Sequence, residues 1–88
     1  MKLEDLREDI DRIDTKLIEL FERRMEVVSK VADYKKSVGM PVFDPERERL
    51  KLADISQRLE NKELDQYLQK FFQNLFDLSK DYQEVRNG

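Results

Sequence analysis

An arginine stands where a seven-residue apolar repeat leads one to expect an aliphatic side chain. The repeat runs Leu3, Leu6, Ile10, Ile13, Leu17, Leu20, Arg24, Val27, Val31, Tyr34 and Val38, and ten of its eleven positions are apolar. A buried guanidinium with no partner costs several kcal/mol, so something anionic is expected to meet Arg24. Other polar residues interrupt apolar faces in the same way. Glu48 lies four residues before Leu52 on the face that Ile55 and Leu59 continue, with Arg47 beside it. Ser79 and Gln83 follow Phe72 and Phe76 at helical spacing. Lys35 flanks the repeat on a strip with Phe21 and Val28, and Arg7 begins that strip.

This inward set has several cations, one carboxylate and two neutral hydrogen-bonding groups. It suits a small ligand with more than one carboxylate, because the arginine fork grips carboxylates in bidentate fashion. Many other chemistries fall away. The 88 residues include no Cys and no His, which removes disulfides, thiolate nucleophiles, zinc sites and imidazole acid–base work. No Ser lies beside a plausible base, and a single inward carboxylate gives no pair for glycoside-type chemistry. Catalysis would therefore rest on positioning and electrostatic stabilisation, without a covalent step. Structural readings stand beside each of these. Arg24 could belong to a buried Arg–Glu pair or fix the register of a seam, Arg7 and Lys35 could reach solvent, and Glu48 could serve the helix dipole. Ser79 and Gln83 could be surface residues. The joint occurrence favours a site.

The elements that must position these residues are helices. Charged residues make up 42% and hydrophobic residues 39%, with only two Gly and two Pro, as in an amphipathic all-α chain. One helix is predicted over 3–37, stopped by Gly39 and Pro41. Asp44-Pro45 restarts the chain as N-cap and first helical residue, giving a second helix over 45–59. The polar stretch around Asn61 is a turn, and a third helix spans 64–85, with Leu64, Leu68, Phe71, Leu75, Leu78 and Tyr82 as apolar positions. A first helix of that length spans roughly 50 Å, against a diameter of about 30 Å for a compact chain of this size. Its apolar seam therefore points to pairing with a second copy, in an intertwined homodimer. The net charge of −3 argues against nucleic acid as partner, and no run is apolar enough for a membrane span. The charged N-terminus does not read as a signal peptide, so a cytoplasmic protein is expected.

Leu6-Arg7-Glu8 through Ile13-Asp14, Glu22-Arg23-Arg24, Tyr34-Lys35, Pro41-Val42-Phe43-Asp44, Glu46-Arg47-Glu48-Arg49, and Ser79 with Gln83 resemble the all-helical (AroQ-type) chorismate mutases. The resemblance covers essentially the whole chain, 1–88, as one domain. It implies a domain-swapped homodimer of three-helix chains that isomerises chorismate to prephenate, without a cofactor, in phenylalanine and tyrosine biosynthesis. By position, Arg24 resembles the arginine that grips a substrate carboxylate, and Arg7 the one donated by the partner chain. Lys35 and Gln83 match the pair on the ether oxygen of the breaking bond. Glu48 matches the residue that takes the ring hydroxyl, with Asp44 near that end. Arg47 matches a site arginine, and Ser79 a residue supporting a carboxylate. Arg23 beside Arg24 leaves a register ambiguity that the seam resolves toward Arg24. With no fused domain visible, the chain reads as free-standing or as an excised domain. An isochorismate pyruvate lyase, which shares fold and site, is the nearest enzymatic alternative. A non-catalytic helical dimerisation module is the alternative from another class.

Overall fold

The computed structural model describes residues 2–87. Helix α1 spans Leu3–Val38, α2 spans Pro45–Arg58, and α3 spans Asp65–Asn87 after a single 3₁₀ turn at Lys62–Leu64. Among the described residues there is no strand. The three-helix, all-α reading of the sequence is what the chain forms.

The helix ends follow from local chemistry. Gly39 takes the left-handed conformation at φ 72°, and the Met40 amide donates to the Lys35 carbonyl at 2.8 Å. This wrap closes the last turn of α1, and a side chain at that φ would be strained. Lys35 and Lys36 in the same turn complement the negative end of the helix dipole. At the start of α2, Asp44 Oδ1 accepts from the Arg47 amide at 3.1 Å, with Pro45 in the first turn. Between α2 and α3, Asn61 Oδ1 accepts from the Glu63 amide at 3.1 Å and so builds the 3₁₀ turn. Lys62 Nζ donates to the Ser56 carbonyl at 2.6 Å, closing the end of α2. The Ser56 hydroxyl donates to Asp65, and Gln69 Nε2 donates to both Ser56 Oγ and Asp65 Oδ2. Helix α3 runs two residues beyond its expected end, where Arg86 Nη2 donates to both oxygens of Asp33 on α1 at 3.1 and 3.2 Å.

Helix α3 packs against both α1 and α2. Each helix gives the core one buried apolar residue: Ala32, Ile55 and Phe76. The apolar face of α3 is wider than one chain can cover. Leu68, Phe72 and Leu75 are half-buried, whereas Leu64, Phe71, Leu78 and Tyr82, which the periodicity assigns to the same apolar set, lie exposed.

The molecule is long for its mass. Its extents are 54 × 25 × 15 Å and its radius of gyration is 16.1 Å, where about 12 Å is usual for a compact chain of this length. The cause is α1, on which every residue from 3 to 23 is exposed. That stretch carries the apolar seam, and Ile10, Ile13 and Leu17 expose 55%, 58% and 46% of their surface.

Candidate functional site

A cleft of about 280 Å³ opens where the C-terminal half of α1, the loop after it, the start of α2 and the second half of α3 meet. Of the eight candidate residues, Arg24, Lys35, Asp44, Arg47, Glu48, Ser79 and Gln83 line it. Arg7 does not. It lies on the exposed half of α1, seventeen positions and roughly 25 Å before Arg24.

Packing treats the two neighbouring arginines differently, and only Arg24 lines the cleft. Arg23 is exposed, and Arg24 is half-buried with Nη1 donating to Ser79 Oγ at 2.5 Å. The Ser79 hydroxyl donates in turn to the Leu75 carbonyl at 2.7 Å, so its lone pairs are left for the guanidinium. Burial pulls the Arg24 guanidinium below its ordinary value. No carboxylate of the described residues pairs with it, and an anionic ligand would supply what is missing. Lys35 reaches across from the last turn of α1 to donate to the Val42 carbonyl at 2.9 Å. That contact fixes its ammonium against the loop and leaves further N–H donors for a ligand.

Glu48 is held by α3. Gln73 Nε2 donates to one of its oxygens at 3.3 Å, and Lys80 Nζ pairs with the other at 3.1 Å. The Glu48 contact, with help from Asp77, holds the Lys80 ammonium above its ordinary value. Gln83 is buried, with 6% of its surface exposed, and its amide oxygen has no hydrogen-bond partner. A buried amide left unpaired costs about 1–3 kcal/mol, and it can offer a ligand either an acceptor or two donors. Asp44 and Arg47 stand at the exposed rim.

Two residues of the cleft escape the sequence reading, Lys51 and Lys80. Lys51 lies one turn after Arg47, and Lys80 follows Ser79 directly. Helical spacing from residues already singled out would have found the first, but Lys80 is brought in only by the partner it finds on α2. With them the cleft carries five cations against two carboxylates, an excess of three positive charges on a chain whose net charge is −3. Such a concentration of cations draws in and orients a small polyanion. Val27, Val28, Val31 and Phe76 supply an apolar floor for its carbon skeleton. Among the described residues no group of acidic side chains is placed to hold a metal ion.

Comparison with known proteins points the same way. Residues 6–84 match the family described as chorismate mutase type II. A chorismate mutase of Methanocaldococcus jannaschii is 33% identical over 84 residues, covering 94% of this chain and 85% of that protein. The T-protein of Haemophilus influenzae is 50% identical over 46 residues, which are 52% of this chain and 12% of the T-protein. A bifunctional chorismate mutase/prephenate dehydratase of Aquifex aeolicus is 35% identical over 48 residues, 54% of this chain and 13% of that protein. The match thus spans only about an eighth of the length of these two larger relatives. No solved structure matches the chain with significance.

Proposed function

The chain belongs to the chorismate mutase type II family, and from that premise we propose that it isomerises chorismate to prephenate in the cleft between its helices. One observation carries this reading. Residues from four separate stretches of sequence, Arg24, Lys35, Glu48 with Arg47, and Ser79 with Gln83, line one cleft with a marked excess of positive charge. Chorismate carries two carboxylates, an ether bridge and a ring hydroxyl, and this set has a partner for each. Arg24, oriented by Ser79, grips one carboxylate. Arg47 adds charge at the rim near Asp44, and Glu48 accepts from the ring hydroxyl. Lys35 and Gln83 meet the ether oxygen.

The reaction is a one-substrate rearrangement in which C–O cleavage runs ahead of C–C formation. Negative charge builds on the ether oxygen, and a fixed ammonium meets that charge more strongly in the transition state than in the ground state. The guanidinium groups hold the enolpyruvyl arm folded over the ring, which removes much of the entropic barrier.

The cleft needs a second chain in this reading. Arg7 would come from the partner of an intertwined homodimer, whose long helices cover each other's seams. The exposed first half of α1 supports this, since Leu3, Leu6, Ile10, Ile13, Leu17 and Leu20 find no cover within one chain. No helix among the described residues is long and apolar enough to cross a membrane, and the cytoplasm is the proposed place of action. Incubation with chorismate should consume it and yield an equal amount of prephenate. Untouched chorismate, with isochorismate converted to salicylate, would overturn the assignment in favour of the lyase.

A further inference from the structure

Glu48 poses an electrostatic problem. A carboxylate that accepts from the ring hydroxyl also faces a substrate with two negative charges of its own. Like charges at close range inside a partly desolvated cleft repel by an amount that weakens binding. The side chains around Glu48 form a closed ring that answers this. Gln73 Nε2 donates to Glu48 Oε1 at 3.3 Å and to Asp77 Oδ1 at 3.1 Å. Lys80 Nζ pairs with Glu48 Oε2 at 3.1 Å and with the same Asp77 oxygen at 3.3 Å. The ammonium also lies 4.4 Å from the centre of the Phe43 ring, which limits how far it can swing out. Only 24% of the Lys80 side chain and 18% of the Glu48 side chain is exposed, so solvent screens the pair incompletely.

We propose that Lys80 is a positioning residue that acts through Glu48: with Gln73 and Asp77 it fixes the direction of the carboxylate and offsets its charge against the incoming dicarboxylate. The inference rests on reading the cleft as the chorismate site. Both oxygens of Glu48 are held from α3, and each keeps a lone pair for the ring hydroxyl. Gln73, Asp77 and Lys80 stand about one turn apart on α3, so one face of that helix sets the aim of a residue on α2. The charge of Lys80 is already shared between two carboxylates. It therefore serves the substrate indirectly, unlike the guanidinium of Arg24, which pairs with no carboxylate of the described residues.

A double-mutant cycle tests this, with parent, Lys80→Met, Glu48→Gln and the double variant assayed on chorismate. Circular dichroism confirms that each is folded. Lys80→Met should lower kcat/KM by about 10-fold, mostly as a rise in KM, and Lys80→Arg should recover most of the loss. In the Glu48→Gln background the same Lys80→Met change should cost less than about 2-fold, because the charge it offsets is gone. Equal losses in both backgrounds would overturn the proposal and make Lys80 a direct ligand or a purely structural residue. So would a Lys80→Met chain that matches the parent. A folded parent inactive on chorismate defeats the reading of the cleft, and the role of Lys80 falls with it. An active parent with additive losses defeats the role of Lys80 alone.

Discussion

At the level of single residues, the proposed roles of Lys35 and Gln83 at the ether oxygen can be told apart by charge. In the proposed reaction Lys35 would meet an oxygen that becomes anionic mainly in the transition state. Lys35→Ala should therefore lower kcat by at least about 10²-fold with a much smaller change in KM, as steady-state kinetics would show. Gln83 is a buried, neutral group whose amide does not titrate. In Gln83→Glu the new carboxyl sits in the same buried place, and burial raises the pKa of a carboxyl group. Below that raised value it is protonated and still donates to the ether oxygen. Above it the carboxylate repels the developing charge. The parent should be flat between about pH 5 and pH 8, and the variant active only at the acid end. A flat profile for the variant would place Gln83 away from the breaking bond. Much of the cleft is legible in the sequence, because a polar residue on an apolar stripe reveals itself by spacing alone. Arg24, Glu48, Ser79 and Gln83 all show this, and all line the cleft. Lys80 shows no such break. It lies beside the stripe, and only the approach of α2 to α3 gives it Glu48 as a partner.

At the level of elements, the helix boundaries are set by a few cap residues, which is why they could be read closely. Gly39 and Asp44 fix the loop that carries Val42, and Val42 in turn anchors Lys35. Gly39 has φ 72° and open space where a Cβ would stand. Gly39→Ala should therefore destabilise the chain through backbone strain alone, by about 1–2 kcal/mol in denaturant unfolding. An unchanged midpoint would show that the left-handed turn is absent in solution. The link between α2 and α3 was less legible. Its polar stretch reads as a plain turn, but Asn61, Lys62, Ser56 and Asp65 organise it through side-chain hydrogen bonds that no periodicity reveals. The inward face of α3 was ambiguous for a related reason. Apolar residues occur in adjacent pairs such as Phe71-Phe72 and Leu75-Phe76, so two stripes compete, and packing on α1 and α2 selects the one with Phe72, Phe76, Ser79 and Gln83.

At the level of the whole molecule, the proposed homodimer accounts for two features of the single chain at once. Every residue from 2 to 23 is exposed, and Arg7 on that stretch does not line the cleft. A second copy laid along α1 would cover the first and deliver the second. The length of α1 against the size of the chain is what motivates this proposal, since a helix so long has no partner of its own length within 88 residues. Helical content should accordingly fall on dilution, because folding is coupled to association. The most direct test of the shared site mixes two chains that are each inactive on chorismate, Arg7→Ala and Arg24→Ala, after unfolding and joint refolding. Each heterodimer would hold one site with both arginines intact and one with neither. Random assortment in an equal mixture should then restore about a quarter of the parent's turnover of chorismate to prephenate. No recovery in a mixture shown to contain heterodimers would mean that Arg7 and Arg24 do not meet across an interface, and would contradict the account.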